Sequence, residues 1–382
     1  MSVPSPILFT IPNFTTAGSG RAMLNIIERL DRRRFAPAVC AARRGGRLEA
    51  EIDRLGIPYL EAPVTVAARP LTTLAFRARR AAQVFRPYGF ALWHSFHYLD
   101  DYTEPLVARF AGAEGWIYTK KNMNWGRRSW LLRTLLARRV AAQNTDMLRD
   151  FFSSPLFRKK AVLVPRGVDT ERFRPGLPRL LALREKLGVS PETVVIGCVA
   201  QLVAVKGHPT LLAALARVPG VQLWLAGKEL DQEYGAALRQ QIREAKLEDR
   251  VSFLGDVQDV PSLLAETDVF TLPTWDQWRM EGCPVALLEA MSSGLACVAT
   301  DIPGSRDILE PERSGILVPP RDAPALALAL ERLARDSHQR RAMGEAARAR
   351  VREHYAIETE VRAHEDLYDS ILGGAAGARR AA

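Results

Sequence analysis

Cysteine is scarce in this 382-residue chain: Cys40, Cys198, Cys283 and Cys297 are the only four. They lie far apart, none forms a CxxC or Cys/His pair at metal-ligand spacing, and a disulfide framework is excluded. A reducing, cytosolic compartment is the expectation. Long hydrophobic runs are also missing. The longest, around Thr193–Val205, is broken by Gly197 and Gln201 and falls short of the ~20 residues of a membrane span. The opening MSVPSPILFT carries no basic residue before its apolar stretch, so a secretory signal is not expected. No GxGxxG dinucleotide fingerprint and no Asp-x-Asp motif occur anywhere. The first absence takes most support from a dehydrogenase.

What is present is an ordinary globular composition, 47% hydrophobic and 25% charged. It excludes disordered, collagenous and coiled-coil classes. Charge is divided unevenly along the chain. Residues 1–175 hold 29 Lys and Arg against 14 Asp and Glu, whereas the remainder holds 24 against 29. A basic first half favours an anionic surface or acceptor. No RNA- or DNA-binding motif accompanies those basic residues, so nucleic acid is not expected as a partner.

Short apolar runs alternate with helix-period stretches almost throughout. In the first half the strands are expected at Ile7–Ile11, Ala38–Ala41, Pro58–Leu60, Ala91–His94, Trp116–Thr119, Val140–Ala142 and Val162–Val164. In the second half they are expected at Val194–Ala200, Val221–Ala226, Val251–Leu254, Val269–Leu272, Ala296–Thr300 and Ile316–Val318. Such alternation predicts parallel sheets with helices on both faces. Each half is long enough for its own doubly wound domain, with a boundary in the Pro- and Gly-bearing stretch Phe173–Pro178. From Ala323 onward only helical patterns remain, ending in a small-residue tail, Gly373–Ala382, that is expected to be disordered. Two such halves facing each other place ligands where the carboxyl ends of their strands converge.

Three segments are candidates for gripping a phosphate. The first strand runs into Asn13–Gly20, where Gly18, Ser19 and Gly20 bring backbone N–H groups close to an anion at a helix start. A second, Ala200–His208, carries Gln201 and places Lys206 at a strand's carboxyl end as a point charge. The third is Glu281-Gly282-Cys283-Pro284, followed by an apolar helix bearing Glu289. Pro284 suits a first helical turn, and at about 1.5 Å of rise per residue the two carboxylates lie on the order of 10 Å apart. That spacing is too long for a carboxylate pair on one glycosidic bond and suits gripping two ends of a long ligand.

Together these residues resemble the retaining glycosyltransferases of family 4. The resemblance rests on the Gly18/Gly20 loop, Val164–Asp169 with Phe173, Lys206-Gly207-His208, Leu225-Ala226-Gly227, Val251–Gly255, Asp268–Pro273, Glu281…Glu289 and Pro303-Gly304, in that order. It implies a GT-B fold: two doubly wound Rossmann-like domains facing a central cleft, with C-terminal helices. Residues 1–175 would bind the acceptor and 176–355 the nucleotide-sugar, while 356–382 would form a helix packing back on the first domain, then the tail. It also implies retaining sugar transfer from a nucleotide-sugar donor to a cell-envelope glycan or lipid-linked acceptor of lipopolysaccharide or exopolysaccharide type. No cofactor and no essential metal are implied. Glu289 would hold the ribose hydroxyls, and Glu281 with the backbone of Gly282, Cys283 and Pro284 would contact the transferred sugar. Lys206 and the Gly18–Gly20 amides would neutralise the diphosphate, and the loop Gly255–Val257 would line the base.

The chain departs from the family at several points. Gln201 stands where an Arg is common, with Lys228, Arg279 and Arg306 as substitute cations. Arg166 replaces the Asn before Gly-Val-Asp. The stretch aligned with a common His is Tyr118–Asn122, leaving Lys121 or Asn122 to face the sugar, or Lys121 an anionic acceptor. Trp275 and Trp278 are candidates for stacking on a sugar ring. His97 and Asp100, after the strand Ala91–His94, are acceptor candidates, with Asp101 and His94 beside them. Leu71–Arg86 and Arg127–Arg139 mix aliphatic residues with arginines, as helices lying on an anionic bilayer do. They point to peripheral attachment on the inner face of the membrane. The alternatives are a nucleotide-sugar epimerase of the same architecture, favoured less by Glu281/Glu289 with Gly-Val-Asp, and a non-catalytic binding module, supported by Gln201 and the missing His.

Overall fold

The computed structural model describes residues 3–14, 17–46, 48–97, 101–124, 128–179, 182–277 and 281–380. The chain forms two compact units, one of residues 1–166 with 357–382 and one of residues 167–356. The division falls between Arg166 and Gly167, ahead of the expected 175/176. The reason is packing: Val168 and Phe173 are buried in the core of the second unit. There Val168 N–H donates to the Tyr355 carbonyl at 2.8 Å, so the two crossing strands of chain run side by side.

The first unit holds seven parallel strands: β1 (Ser5–Ile11), β2 (Phe35–Ala41), β3 (Tyr59–Glu61), β4 (Leu92–Ser95), β5 (Gly115–Lys120), β6 (Arg139–Ala142) and β7 (Ala161–Leu163). Their order is β3-β2-β1-β4-β5-β6-β7. β1 reads as a continuous apolar run because helices cover both of its faces. On one face, helix Ala17–Arg29 and the final helix Ile357–Arg380 bury Met23, Ile27, Val361, Leu367 and Tyr368 against the sheet. On the other, helices Leu74–Ala82, Glu104–Ala111, Ser129–Leu136 and Thr145–Phe152 pack over Trp93, Trp116 and Tyr118. The final helix runs on to Arg380 where a disordered tail from Gly373 was expected. Ala and Arg, five of the eight residues from Gly373 to Arg380, are strong helix formers.

The second unit repeats the plan with β8 (Val194–Val199), β9 (Val221–Ala226), β10 (Val251–Gly255), β11 (Val269–Leu272), β12 (Ala296–Thr300) and β13 (Ile316–Val318). The order is β10-β9-β8-β11-β12-β13, again all parallel. Both sheets reverse direction at one place, between β1 and β4 and between β8 and β11. In an open parallel sheet this switch point, at the carboxyl ends, is where two loops part and leave a ligand crevice. Asp231, Asp259, Asp322 and Asp336 each cap a helix start by accepting a backbone N–H, which fixes where the helices begin. All four cysteines are buried and free.

Candidate active site

At the switch point of the second unit, the loop after β8 carries Lys206 and the loop after β11 carries Glu281. The first loop makes a single turn, Ala204–Lys206, and then Gly207 adopts φ +72° to start helix His208–Leu215. Only glycine fits there: an added Cβ would lie 1.9 Å from the Pro273 carbonyl oxygen. The two loops are tied by the Trp275 N–H donating to the Val205 carbonyl at 2.8 Å. Thr300 Oγ1 braces the second loop from β12 by donating to the Thr274 carbonyl at 2.6 Å. The result is a 2.5 Å ion pair between Lys206 Nζ and Glu281 Oε1, with the lysine buried and the carboxylate half-open.

Beyond Glu281 the backbone of Gly282, Cys283 and Pro284 leads into helix Val285–Ser292. Pro284 is the N-cap of that helix, one position ahead of the first turn expected for it, because its ψ of 102° is extended. Its carbonyl accepts from Leu287 N–H at 3.1 Å, which leaves the Val285 and Ala286 N–H groups without intrahelical partners at a positive helix end. Glu289 sits in the next turn, half-buried between Leu288 and Ala290. Burial pushes its carboxyl up to about 7, opposed by the Arg172 cation. No side chain among the described residues hydrogen-bonds it. A carboxylate held without a partner in an apolar helix is costly and is suited to accept from hydroxyl donors of a ligand.

Around this centre the other expected residues take different places. Gln201 is exposed at the end of β8. Val257 is half-buried after β10, in a turn where its N–H donates to the Gly255 carbonyl at 3.1 Å. Trp275 is held by packing: its Nε1 donates to Thr210 Oγ1 at 2.8 Å and Arg321 lies 4.4 Å over its ring. Of the substitute cations, Arg306 pairs with Asp301 at 2.7 Å and Lys228 is exposed. Trp278 and Arg279 lie outside the described residues.

The first unit's switch point carries a second constellation. Gly18, Ser19 and Gly20 belong to the first turn of helix Ala17–Arg29 rather than to a loop before it. Gly20 is there because a Cβ would meet Phe14 and Leu48 within 3 Å. Lys121, just past β5, donates to Ser19 Oγ at 3.0 Å and to the Phe96 carbonyl. Burial, reinforced by the Arg166 and Arg133 cations, holds its ammonium well below the usual lysine range. Asn122 is occupied, since Lys120 Nζ donates to its Oδ1 at 2.9 Å. His97 is buried and its imidazole is held below the ordinary value, chiefly by burial. His94 is a core residue, bonded to Tyr368 Oη at 2.8 Å and Thr119 Oγ1 at 2.9 Å. Asp101 caps the following helix by accepting from Thr103 and Glu104 N–H. Asp100 lies outside the described residues.

Sequence reasoning missed the buried pair beneath this constellation. Glu104 accepts from Thr10 Oγ1 at 2.5 Å, Ser95 Oγ at 2.7 Å and Trp93 Nε1 at 3.1 Å, and Arg133 lies 4.0 Å away. Arg133 also donates to the carbonyls of Asp101 and His97 and stacks on Trp116 and Tyr118. The one signal was an Arg alone among seven apolar or small neighbours in Ser129–Leu136.

Arg166, the other departure from the family pattern, is explained by its partner. It pairs with Glu360 of the final helix at 2.9 Å, both side chains fully enclosed. Among the described residues, no cluster of three His, Cys, Asp or Glu side chains is placed to hold a metal ion.

Two Rossmann-like units, each a parallel sheet with helices on both faces, define a protein of the GT-B class. Comparison with known families gives the same answer in two halves. The family model for glycosyltransferase family 4 matches residues 16–172, and that for glycosyl transferases group 1 matches residues 181–350. The chain belongs to glycosyltransferase family 4. A GDP-mannose-dependent monoacylated alpha-(1-6)-phosphatidylinositol monomannoside mannosyltransferase of Corynebacterium glutamicum is 33% identical over 54% of this chain and 55% of its own. The lipopolysaccharide core biosynthesis mannosyltransferase LpsB of Rhizobium meliloti is 27% identical over 55% of this chain and 61% of its own. The matched stretch thus spans little more than half the length of these relatives. The solved structure of Anabaena HepE in complex with UDP and glucose shares the fold, with a TM-score of 0.81 at 21% identity over 95% of this chain and 99% of that one.

Proposed function

We propose that this protein transfers a sugar, with retention, from a nucleotide-sugar to a glycan or lipid-linked acceptor of the cell envelope. The observation that carries the reading is the second unit's switch point. Lys206 pairs with Glu281, and the N–H groups opening helix Val285–Ser292 and the Glu289 carboxyl follow Glu281 in order along the chain. That row matches the parts of a nucleoside diphosphate sugar. Glu289 accepts from ribose hydroxyls, while the helix start and Lys206 take the diphosphate. Glu281 then exchanges its bond to Lys206 for the hydroxyls of the sugar. As the glycosidic bond breaks, charge grows on the leaving diphosphate, where the lysine and the fixed amide dipoles already point. On this reading the residues of the chain supply that stabilisation and no metal is required.

The first unit, with Lys121, Ser19 and His97 at its own switch point, would serve the acceptor. The relatives named for phosphatidylinositol mannoside and lipopolysaccharide core support an envelope acceptor and work at an anionic membrane surface. None of the helices, over the described residues, is long and apolar enough to cross a membrane, so attachment would be peripheral.

The test is calorimetric binding of UDP, GDP and ADP to wild type and to Glu289→Ala. One nucleotide binding to wild type, weakened at least tenfold in a folded variant, supports the assignment. Unchanged affinity in the variant overturns it.

A further inference from the structure

Arg321 stands in a backbone conformation that suits glycine. It lies in the turn Pro319–Asp322 between β13 and helix Ala323–Arg335, where the Asp322 N–H donates to the Pro319 carbonyl at 3.4 Å. Pro320 takes the second position of that turn and Arg321, at φ +64°, the third. A proline followed by a positive φ is the type II arrangement, whose third position favours glycine. A side chain there carries the left-handed penalty, so the arginine is held against its local preference. Its side chain reaches two consecutive residues of the loop after β11. The guanidinium lies 4.4 Å over the Trp275 ring, and Nε donates to Asp276 Oδ1 at 2.9 Å.

Trp275 is where three loops at the carboxyl edge of the second sheet meet. Its N–H donates to the Val205 carbonyl at 2.8 Å and its Nε1 to Thr210 Oγ1 at 2.8 Å. A methyl group on Gly207 would stand 3.0 Å from its Cδ1. Val205 and Gly207 flank Lys206 on either side, and Glu281 follows Trp275 in the same loop. Whatever fixes Trp275 therefore fixes both roots of the Lys206–Glu281 pair, and Arg321 fixes it from the third loop. As a stabilising element the contact is poor. The arginine and aspartate side chains are 45% and 53% exposed, and an exposed ion pair contributes little to folding. A guanidinium over an indole is attractive and directional, so the contact holds position more than it adds stability.

We propose that Arg321 is a positioning residue for the sugar end of the donor site. It clasps Trp275 and Asp276 so that the loop after β11 presents Glu281 to Lys206, and it acts on the ligand through that loop without touching it. The proposal rests on the nucleotide-sugar reading and adds to it a residue from a third loop. Its consequence is a split between two ligands. A nucleoside diphosphate needs Lys206 and the N–H groups opening helix Val285–Ser292, whereas a nucleotide-sugar also needs Glu281 in register. A loosened loop therefore weakens the nucleotide-sugar and spares the diphosphate.

The experiment compares wild type, Arg321→Gly and Asp276→Asn as full chains. Melting temperature reports stability, and hydrogen exchange over residues 203–210 and 270–277 reports the two loops. Calorimetry with UDP, UDP-glucose, GDP and GDP-mannose reports the site. Arg321→Gly is expected to melt no lower than wild type, since glycine removes the left-handed penalty. Its two loops are nevertheless expected to exchange about tenfold faster or more. For whichever diphosphate binds, affinity is expected to stay within about twofold, while the matching nucleotide-sugar weakens about tenfold or more. Asp276→Asn, which leaves the arginine free to move, is expected to weaken the nucleotide-sugar in the same direction. Unchanged exchange in Arg321→Gly overturns the proposal, as does an equal loss for diphosphate and nucleotide-sugar. A lower melting temperature with unchanged binding assigns the contact to stability and overturns it too. Undiminished nucleotide-sugar affinity in Asp276→Asn, beside a loss in Arg321→Gly, means direct contact with the ligand and rules out positioning. No binding of any of the four ligands to wild type removes the nucleotide-sugar reading and a donor role for Arg321 with it. Binding with unchanged exchange removes the clasp alone, so the two failures are distinct.

Discussion

Lys206 Nζ lies 2.5 Å from Glu281 Oε1, so the carboxylate engages the cation that, on the proposed reading, a diphosphate would use. Removing either partner therefore has opposite consequences. Lys206→Met is expected to weaken nucleoside diphosphate binding about tenfold or more, as loss of a charge-assisted contact does, while leaving the free nucleoside unaffected. Glu281→Gln frees the lysine, and diphosphate affinity is expected to hold or rise while sugar transfer falls on the order of a hundredfold. Titration calorimetry with nucleoside and nucleoside diphosphate, beside a donor-turnover assay, separates the two.

Glu289 gives a pH dependence with a definite sign. Its carboxyl is raised from 4.5 to about 7 by burial, so the folded state favours the protonated form. Stability is then highest below the unfolded value and is lost as pH rises from 4.5 through about 7, levelling beyond it. The loss has an upper bound of about 3 kcal/mol. Glu289→Gln lacks this term, and melting curves of the two proteins across that window are expected to diverge with wild type falling. Nucleotide binding runs the other way. A ribose hydroxyl needs the ionised carboxylate, so affinity rises with pH through about 7 in wild type and stays flat in the variant.

Arg166 and Glu360 are enclosed together in the first unit, with His364 Nε2 3.8 Å from the same carboxylate. Turning the Gln143 amide places its oxygen against the guanidinium as well. Breaking a buried pair by removing one member leaves an uncompensated charge and costs about 3–5 kcal/mol. Glu360→Gln or Arg166→Met alone is therefore expected to lower the melting temperature sharply. The double variant Arg166→Met, Glu360→Leu is expected to recover much of the loss. Equal melting of the two single variants and wild type would remove the pair from the account of why Arg stands at this position.

These three relationships differ in how far they could be read beforehand. The strands were legible because each is a short apolar run closed by glycine, proline or a polar turn, and Val221–Ala226, Val269–Leu272, Ala296–Thr300 and Ile316–Val318 fall where the runs do. Lys206, Glu281 and Glu289 were legible because their loops have local signatures. The orientation of helix Ser129–Leu136 was not. Its pattern of leucines around one arginine does not say which side faces the sheet, and Glu104 with the β5 residues Trp116 and Tyr118, brought from two other elements, draws the arginine inward. The unit boundary was missed for a similar reason. Proline and glycine mark Phe173–Pro178 as a turn, but whether Phe173 packs on one core or the other is decided by residues more than a hundred positions away, among them Ser292, whose Oγ donates to its carbonyl at 2.6 Å.

Gly207 and Gly255 offer a last contrast, since both have positive φ and only one is crowded. At Gly207, φ is +72° and a methyl group would stand 1.9 Å from the Pro273 carbonyl oxygen. At Gly255, φ is +65° and nothing lies within 4 Å of the same position. Gly255→Ala is expected to cost about 1–2 kcal/mol, the backbone penalty for a side chain in the left-handed region. Gly207→Ala adds to that penalty a displacement of the loop after β11, which carries Trp275 and leads to Glu281. It is expected to cost more stability and also to separate Lys206 from Glu281, so nucleoside diphosphate affinity falls with it. Melting temperature and calorimetry on the two variants test this directly. Equal losses of stability with unchanged affinity in both would mean that the tight approach of Gly207 to Pro273 does not hold the two loops of the site together.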